Sequence, residues 1–480
     1  HRIKARAVVV GYHHTDQPDR TGSMLGVVVT LAPRPGLRRH GSELAMDPIT
    51  IGLIGLLILL VLILMHVPIG VALGLVGIGG CTAIIGWDAA VTLLRTEPSS
   101  AISAEGLAVI AMFLLMGNFA HTGGLSAELY RLAYSFFGHW RGGLVFATIG
   151  ACAGFGAVSG SSVATAATMT RVALPEMRAR GYSAALSSGA VASGGTLGMI
   201  IPPSVVMILY GTLTENSVIA LFLAAVIPGL LAVAFYFVAI AVYTRLYPET
   251  APLGERVGWP ARVKTFLDCW AILLLAVAVS GGIYSGIFSV TEAASVGASI
   301  ALILAVVRRR MSLRNFLECL RDTAQSTGLI FVLIIGASVF SYFATLSGLP
   351  EKIVESIEAT GLPPLTIILL LQVMYLILGA IFDTIAAMVL TLPFVYPLIT
   401  GMGYDPIWWG VINIVVIELG MITPPIGINV FVLHGMAPEY PLSTIFRGVI
   451  PFVFADLARL ILLILVPSLS LWLPRAAGWL

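Results

Sequence analysis

The chain has 480 residues, 58% of them apolar, while its 26 basic and 24 acidic residues make up only 10% of it. An ordinary soluble domain is about 45–50% apolar and about 25% charged, so this composition excludes a soluble globular enzyme, a disordered chain and a nucleic-acid binder. Apolar runs near the ~20 residues that cross a bilayer recur along the chain, and the short alternating segments of a β-barrel do not.

The net charge of +2 divides unevenly. Residues 1–45 hold seven Lys/Arg against three Asp/Glu, or +4, which leaves −2 for the rest. The opening HRIKARAVVVGYHHTDQPDR has no usable period, and the apolar run from Met24 to Ala32 is too short to cross a membrane. Residues 1–45 therefore read as a non-native or disordered extension, with the membrane region starting at Met46. A cleaved signal peptide fits poorly, because Pro33, Arg34 and Pro35 follow that short run at once. Cys81, Cys152, Cys269 and Cys319 form no CxxC pattern and read as small packing residues.

Predicted spans in the first half are 49–65, 67–86, 106–123, 183–211 and 218–243. The stretch 142–175 is also apolar but is broken by Gly154, Gly156 and Ser159-Gly160-Ser161-Ser162. Its two legs are each short for a crossing, which predicts a re-entrant helical hairpin. The second half offers 267–287, 289–307, 324–346, a hairpin over 365–398, then 408–434 and 447–472.

Both halves carry a double proline inside a Gly-rich apolar run. Pro202-Pro203 and Pro424-Pro425 are 222 residues apart. The same offset takes Pro175 to Pro397, Gly181-Tyr182 to Gly403-Tyr404 and Ser161 to Asp383. One inserted residue then brings Pro228 onto Pro451. Four agreements in one register predict two repeats, 46–245 and 267–475, joined by a cytoplasmic linker over 246–266.

Five full crossings per repeat invert the second relative to the first. Loop charge supports this independently, since cytoplasmic loops are enriched in Lys/Arg. Loop 86–105 has Arg95 against three acids, while its mate 308–322 has Arg308, Arg309, Arg310, Arg314 and Arg321 against two. Loop 124–141 has Arg131 and Arg141 against Glu128, while its mate 347–363 has Lys352 against three glutamates. Segment 171–182 has three arginines against Glu176, and its mate 393–407 has only Asp405. The expected fold class is thus an all-α polytopic membrane protein with two inverted-topology repeats, about ten transmembrane helices and two re-entrant hairpins.

Inverted repeats with interrupted helices mark secondary transporters. Broken backbone at mid-membrane is tolerated only where it lines a polar site or is buried in protein. The prolines remove amide donors and leave carbonyls unpaired. Such carbonyls, with nearby hydroxyls, suit a hard cation such as Na⁺, and helix N-termini at the same break suit an anion. Ser159, Ser161, Ser162 and Thr165 cluster at the first hairpin tip, either as small residues for tight helix contact or as cation ligands.

The segments GAVSGSSVATAATMTRVALPEMRARGYS, GGTLGMIIPPSVVMILYG, TENSVIALFLAAVIPG and ELGMITPPIGINVF resemble the large membrane subunit of tripartite ATP-independent periplasmic (TRAP) transporters. GIFSVTEAASVGA and FDTIAAMVLTLPFVYPLIT are similar to it as well. The likeness runs from about Met46 to the C-terminus. It implies an elevator-type secondary transporter in the bacterial inner membrane, driven by Na⁺ and without an organic cofactor. The implied partners are a small four-helix membrane subunit and a periplasmic binding protein that delivers an organic acid. A C4-dicarboxylate, a sugar acid or a similar carboxylate all fit.

The resemblance further implies a first Na⁺ site at Ser159 and Ser161 with carbonyls around Gly198, Ile201 and Pro203. The repeat places a second at Gly379, Asp383, Thr384, Gly420, Thr423 and Pro425. Asp383 is open to three roles: Na⁺ ligand, cap of its hairpin leg, or proton carrier. Glu418 is a further acid deep in an apolar run. Ser162, Thr165, Asn429 and Arg171 are the candidates for substrate contact, with Arg171 also reading as a snorkelling residue at the inner membrane face. No enzyme chemistry is expected: the serines lack a GxSxG context, no histidine lies deep in a span, and no Walker A pattern occurs. The rival transporter reading is a stand-alone Na⁺- or H⁺-coupled organic anion carrier that needs no binding protein.

Overall fold

The computed structural model describes residues 46–254 and 256–480. The expected extension over 1–45 lies outside the described residues. Met46–Leu480 forms one compact unit. Among the described residues it is helical throughout, apart from connections and a single bridge between Arg141 and Leu253.

The chain opens with α1 (Pro48–Leu64), α2 (Ile69–Ile85), α3 (Trp87–Ser103), α4 (Glu105–Thr122) and α5 (Leu125–Phe137). The first expected hairpin is α6 (Gly143–Ser159) and α7 (Ser162–Ala179). The first broken helix is α8 (Ala184–Ile200) and α9 (Val205–Leu213), and α10 (Val218–Leu246) follows. Next come α11 (Trp259–Asp268), α12 (Trp270–Ala276), α13 (Gly282–Tyr284), α14 (Val290–Val307), α15 (Leu313–Ser347) and α16 (Leu349–Ala359). The second hairpin is α17 (Pro364–Ile381) and α18 (Thr384–Gly401), and the second broken helix is α19 (Pro406–Gly420) and α20 (Ile428–Met436). The chain closes with α21 (Leu442–Leu465) and α22 (Ser468–Ala476).

Six of these helices are long and apolar enough to cross a membrane, or up to nine if each bent pair is one span. The protein is therefore a multi-pass membrane protein. Both broken helices break where the double prolines stand. Proline lacks an N–H and its ring collides with the preceding turn, so neither helix continues through.

Several stretches read as loops are helical. Residues 87–103, 125–137 and 349–359 form α3, α5 and α16, and α15 begins at Leu313 inside the basic stretch. Charge does not forbid a helix; it gives it a wet face. α5 buries Leu125, Ser126 and Tyr130 and exposes Arg131. α16 buries Leu349 and Pro350 and exposes its three glutamates. Such amphipathic helices suit a membrane surface. At 35 residues, α15 is about 52 Å long, well beyond the ~30 Å hydrocarbon layer. Its first turns carry Arg314 and Arg321 out of the apolar zone.

Small residues set the close crossings. Gly70 of α2 packs on the Leu333 backbone of α15, and Gly77 on that of Val339 and Phe340. Gly189 of α8 meets the backbone of Gly448 on α21. In a bilayer, where burial from water does not drive helices together, such backbone contact is a main source of association.

Candidate functional site

The first hairpin turns at Gly160, whose left-handed φ of 59° ends α6. Ser161 then caps α7, its Oγ accepting from the Ala164 amide at 3.3 Å. The neighbouring hydroxyls are buried: Ser159 and Thr165 oxygens lie 3.0 Å apart, and Thr165 donates to the Ser161 carbonyl at 2.7 Å. Gly198, three residues before the break in α8, lies against this tip. A Cβ at Gly198 would lie 2.5 Å from both the Ser161 carbonyl oxygen and Thr165 Oγ1, so only glycine allows the approach. The Pro203 carbonyl sits beside Gly160. Ile201 forms the end of α8, its N–H donating to the Leu197 carbonyl at 3.0 Å, and its side chain turns toward Gly229 of α10.

The second tip repeats this design with different chemistry. Asp383 caps α18, one carboxylate oxygen accepting from the Ala386 amide at 3.2 Å. Thr384 donates to Glu418 Oε1 of α19 at 2.6 Å. Gly379 packs on the Ile417 backbone and Gly420 on that of Gly379. The break between α19 and α20 folds back onto the tip, with Ile426 and Gly427 amides donating to the Ala380 carbonyl at 3.3 and 3.1 Å. Thr423 turns its hydroxyl proton onto the Leu419 carbonyl at 2.7 Å, and Pro425 follows on the exposed side. Each break also contains a cis peptide between its two prolines.

The tips meet each other's halves. Asn429 of α20 donates through Nδ2 to Ser162 Oγ at 2.8 Å and approaches the Ala192 carbonyl at 3.4 Å. Among the described residues, Asn429 Oδ1 and Glu418 Oε2 are buried there without a partner.

The profile of the family "Tripartite ATP-independent periplasmic transporter, DctM component" matches residues 56–469. This chain belongs to that family. It is 36% identical over 408 residues to the C4-dicarboxylate TRAP transporter large permease protein DctM of Pseudomonas aeruginosa, covering 82% of this chain and 94% of that one. It is 30% identical to the sialic acid TRAP transporter large permease protein SiaM of Vibrio cholerae, covering 77% and 86% of the two chains. It is also 28% identical to the ectoine permease TeaC of Halomonas elongata, covering 86% and 96%. In fold it is similar to the crystal structure of the Alcanivorax borkumensis YdaH transporter, with a TM-score of 0.58 at 16% identity over 89% of this chain and 99% of that one.

In this DctM-family chain the first tip presents hydroxyls and carbonyls, and the second, where the Met421 sulfur lies 2.9 Å from Thr384 Oγ1, presents a hydroxyl, carbonyls and carboxylates. That chemistry fits a hard cation, and the unpartnered Glu418 and Asn429 oxygens leave acceptor capacity for one. Among the described residues no three His, Cys, Asp or Glu side chains converge as a site for a transition metal. The structure brings Ser159, Ser161, Gly198 and Pro203 together at the first tip and break, and Gly379, Thr384 and Gly420 at the second. Arg171 stands apart. It lies nine residues beyond Ser162 on α7, about 13 Å along the axis, and lines a cavity of about 600 Å³ with Pro175, Arg178 and Glu439.

One buried cluster escaped the sequence reading. Asp456 and Arg459 of α21 pair at 2.8 Å, both fully buried. Tyr236 of α10 donates to Asp456 at 2.5 Å, and its oxygen lies 3.1 Å from Thr196 of α8. Two opposite charges three residues apart inside the apolar run FVFADLARLILL are the signal that was there to read, since intramembrane charges are expensive and face the bundle interior.

Proposed function

We propose that this permease subunit is a Na⁺-coupled secondary transporter that imports an organic acid across the bacterial inner membrane. Ser159, Ser161 and carbonyls around Gly198, Ile201 and Pro203 would hold one Na⁺. Gly379, Asp383, Thr384, Gly420, Thr423 and Pro425 would hold a second. A bound ion would supply positive charge at the tips to offset that of a carboxylate substrate. The protein's part is to present the oxygens, exclude lipid, and bring Ser162, Thr165 and Asn429 to the substrate.

The observation that carries the reading is the paired construction of the tips. Ser161 and Asp383, 222 residues apart in sequence, each cap the second leg of a hairpin whose tip lies against a Pro-Pro break. Two inverted repeats of about five crossings and one hairpin each, 46–245 and 267–475, account for that pairing. An elevator motion of the tips and broken helices against the remaining helices follows from it. The substrate class is a carboxylate, C4-dicarboxylate or sugar acid, delivered by a periplasmic binding protein, with a small four-helix subunit alongside. The roles are binding and transport, not catalysis.

The test is uptake into liposomes that contain the permease and its small subunit, with the binding protein outside and Na⁺ or pH gradients imposed separately. Uptake that follows the Na⁺ gradient and falls in Ser161→Ala is expected. Uptake that ignores Na⁺ and follows pH would move the assignment to proton coupling. Uptake without the binding protein would identify a stand-alone carrier.

A further inference from the structure

We propose that the basic cavity between α5, α11 and the turn after α14 binds the phosphodiester headgroup of an anionic lipid. The cavity is about 670 Å³ and is lined by Arg131, Arg308 and Arg310 against Glu128 and Asp268. Three arginines face two carboxylates, and the pairing among them is uneven. Arg308 is bound to Glu128 at 2.6 Å, and both side chains are largely buried. That pair closes the inner wall. Arg131 and Arg310 have no carboxylate within ion-pair distance among the described residues. They stand on different elements, α5 and the turn between α14 and α15, and border the same space.

The shape of the surroundings selects a lipid. The chain bends by 56° between α11 and the helical stretch starting at Trp270, and the cavity sits at this bend, lined by Asp268 and Cys269. Trp259 and Trp270 are exposed on either side of it, as tryptophans at a membrane interface are. Below the bend Leu274 and Val277 are exposed along the span, and Leu267 beside it, an apolar strip that would carry acyl chains. A phosphodiester has one negative charge and two free oxygens, which match a guanidinium fork. Basic pockets between spans at the cytoplasmic side are sites of this kind. The cavity of similar size lined by Glu97, Glu215 and Tyr396 has no basic residue, so it offers nothing to such a headgroup.

The position gives the site a consequence. α5 leads directly into hairpin leg α6. A headgroup held by Arg131 and Arg310 together ties this lead-in helix to the α14–α15 turn.

The test uses delipidated, purified permease with phosphatidylglycerol or phosphatidylcholine added back. Lipid retention is read by native mass spectrometry and thermal stability by unfolding. Neither readout needs transport. Phosphatidylglycerol should be retained and should raise the midpoint, phosphatidylcholine should not, and millimolar inorganic phosphate should not reproduce the rise. Arg131→Ala/Arg310→Ala should lower phosphatidylglycerol affinity on the order of tenfold. Arg314→Ala/Arg321→Ala, which removes the same charge from the start of α15, should leave it unchanged. Asp268→Asn keeps both arginines and should raise it. Equal loss in both double variants shows general surface attraction and overturns the site. So does unchanged retention in both Arg131→Ala/Arg310→Ala and Asp268→Asn. A midpoint rise of the same size with inorganic phosphate gives the cavity to a free anion and overturns the lipid.

Discussion

Asn429 Nδ2 stands 2.8 Å from Ser162 Oγ, a buried hydrogen bond between residues 267 apart in sequence. It joins the first turn of α20, just after the second break, to the first residue of the second leg of the first hairpin. Glu418 accepts from Thr384 of the other hairpin. The Asn429–Ser162 bond thus ties the second break to the first tip, and among the described residues Asn429 Oδ1 and Glu418 Oε2 still lack partners.

Ser162→Ala and Asn429→Ala each remove one end of that bond. Leaving a buried partner unsatisfied costs about 1–3 kcal/mol. Both variants should therefore destabilise the purified protein by about 1–3 kcal/mol, read as a lowered unfolding midpoint. The double variant should cost less than the sum of the two, because the interaction can be lost only once. Strict additivity in that cycle would show that the two residues act separately.

Asp383 carries a helix cap and a charge, and two substitutions separate them. Asparagine caps a helix as well as aspartate does, whereas alanine costs about 1 kcal/mol. Asp383→Asn should keep the thermal midpoint of the purified protein, and Asp383→Ala should lower it by about 1 °C. If the carboxylate is a cation ligand, both lose the Na⁺ dependence of uptake. Retained Na⁺ dependence in Asp383→Asn with a lost pH response would instead make Asp383 a proton carrier.

The tips were legible because they are punctuation. Gly160, Ser161 and the prolines at 202–203 and 424–425 mark turns, caps and breaks through their own backbone chemistry, and no distant residue is needed to read them. The pairing of Asn429 with Ser162 was not legible, since nothing local to either residue encodes a contact across 267 positions. α5 and α16 were read as loops because their charges were counted without testing for one buried stripe. Arg171 is a cation near a hairpin, but sequence distance along α7 already separates it from Ser162 by two and a half turns. Asp456 and Arg459 were missed inside a run taken as uniformly apolar.

That pair should be more sensitive to loss of one member than to loss of both. Removing one partner of a buried ion pair leaves an uncompensated charge and costs about 3–5 kcal/mol. Arg459→Ala should therefore sharply lower the unfolding midpoint or the yield of folded protein. Asp456→Leu/Arg459→Met, which removes both charges at similar volume, should recover most of it. Tyr236→Phe removes the hydroxyl that donates to Asp456 and meets Thr196, and should cost about 1–3 kcal/mol. A double variant no better than Arg459→Ala would mean the charges are needed for more than each other.

Orientation of the two repeats is open to direct labelling. Inversion puts the mates 124–141 and 347–363 on opposite sides, the first inside and the second outside, since Arg131 and Arg141 sit in one and three glutamates in the other. The four native cysteines are buried, so a cysteine-free background should tolerate small replacements such as alanine or serine with modest loss. Thr360 is exposed at the end of α16 and has a φ of −68°, which cysteine adopts without strain. Arg131, in the mate stretch, is exposed on α5. In intact spheroplasts, Thr360→Cys should react with a membrane-impermeant maleimide and Arg131→Cys should not. After lysis both should react, which controls for accessibility. Reaction of both from outside would place the two stretches on one side of the membrane and end the inverted-repeat reading.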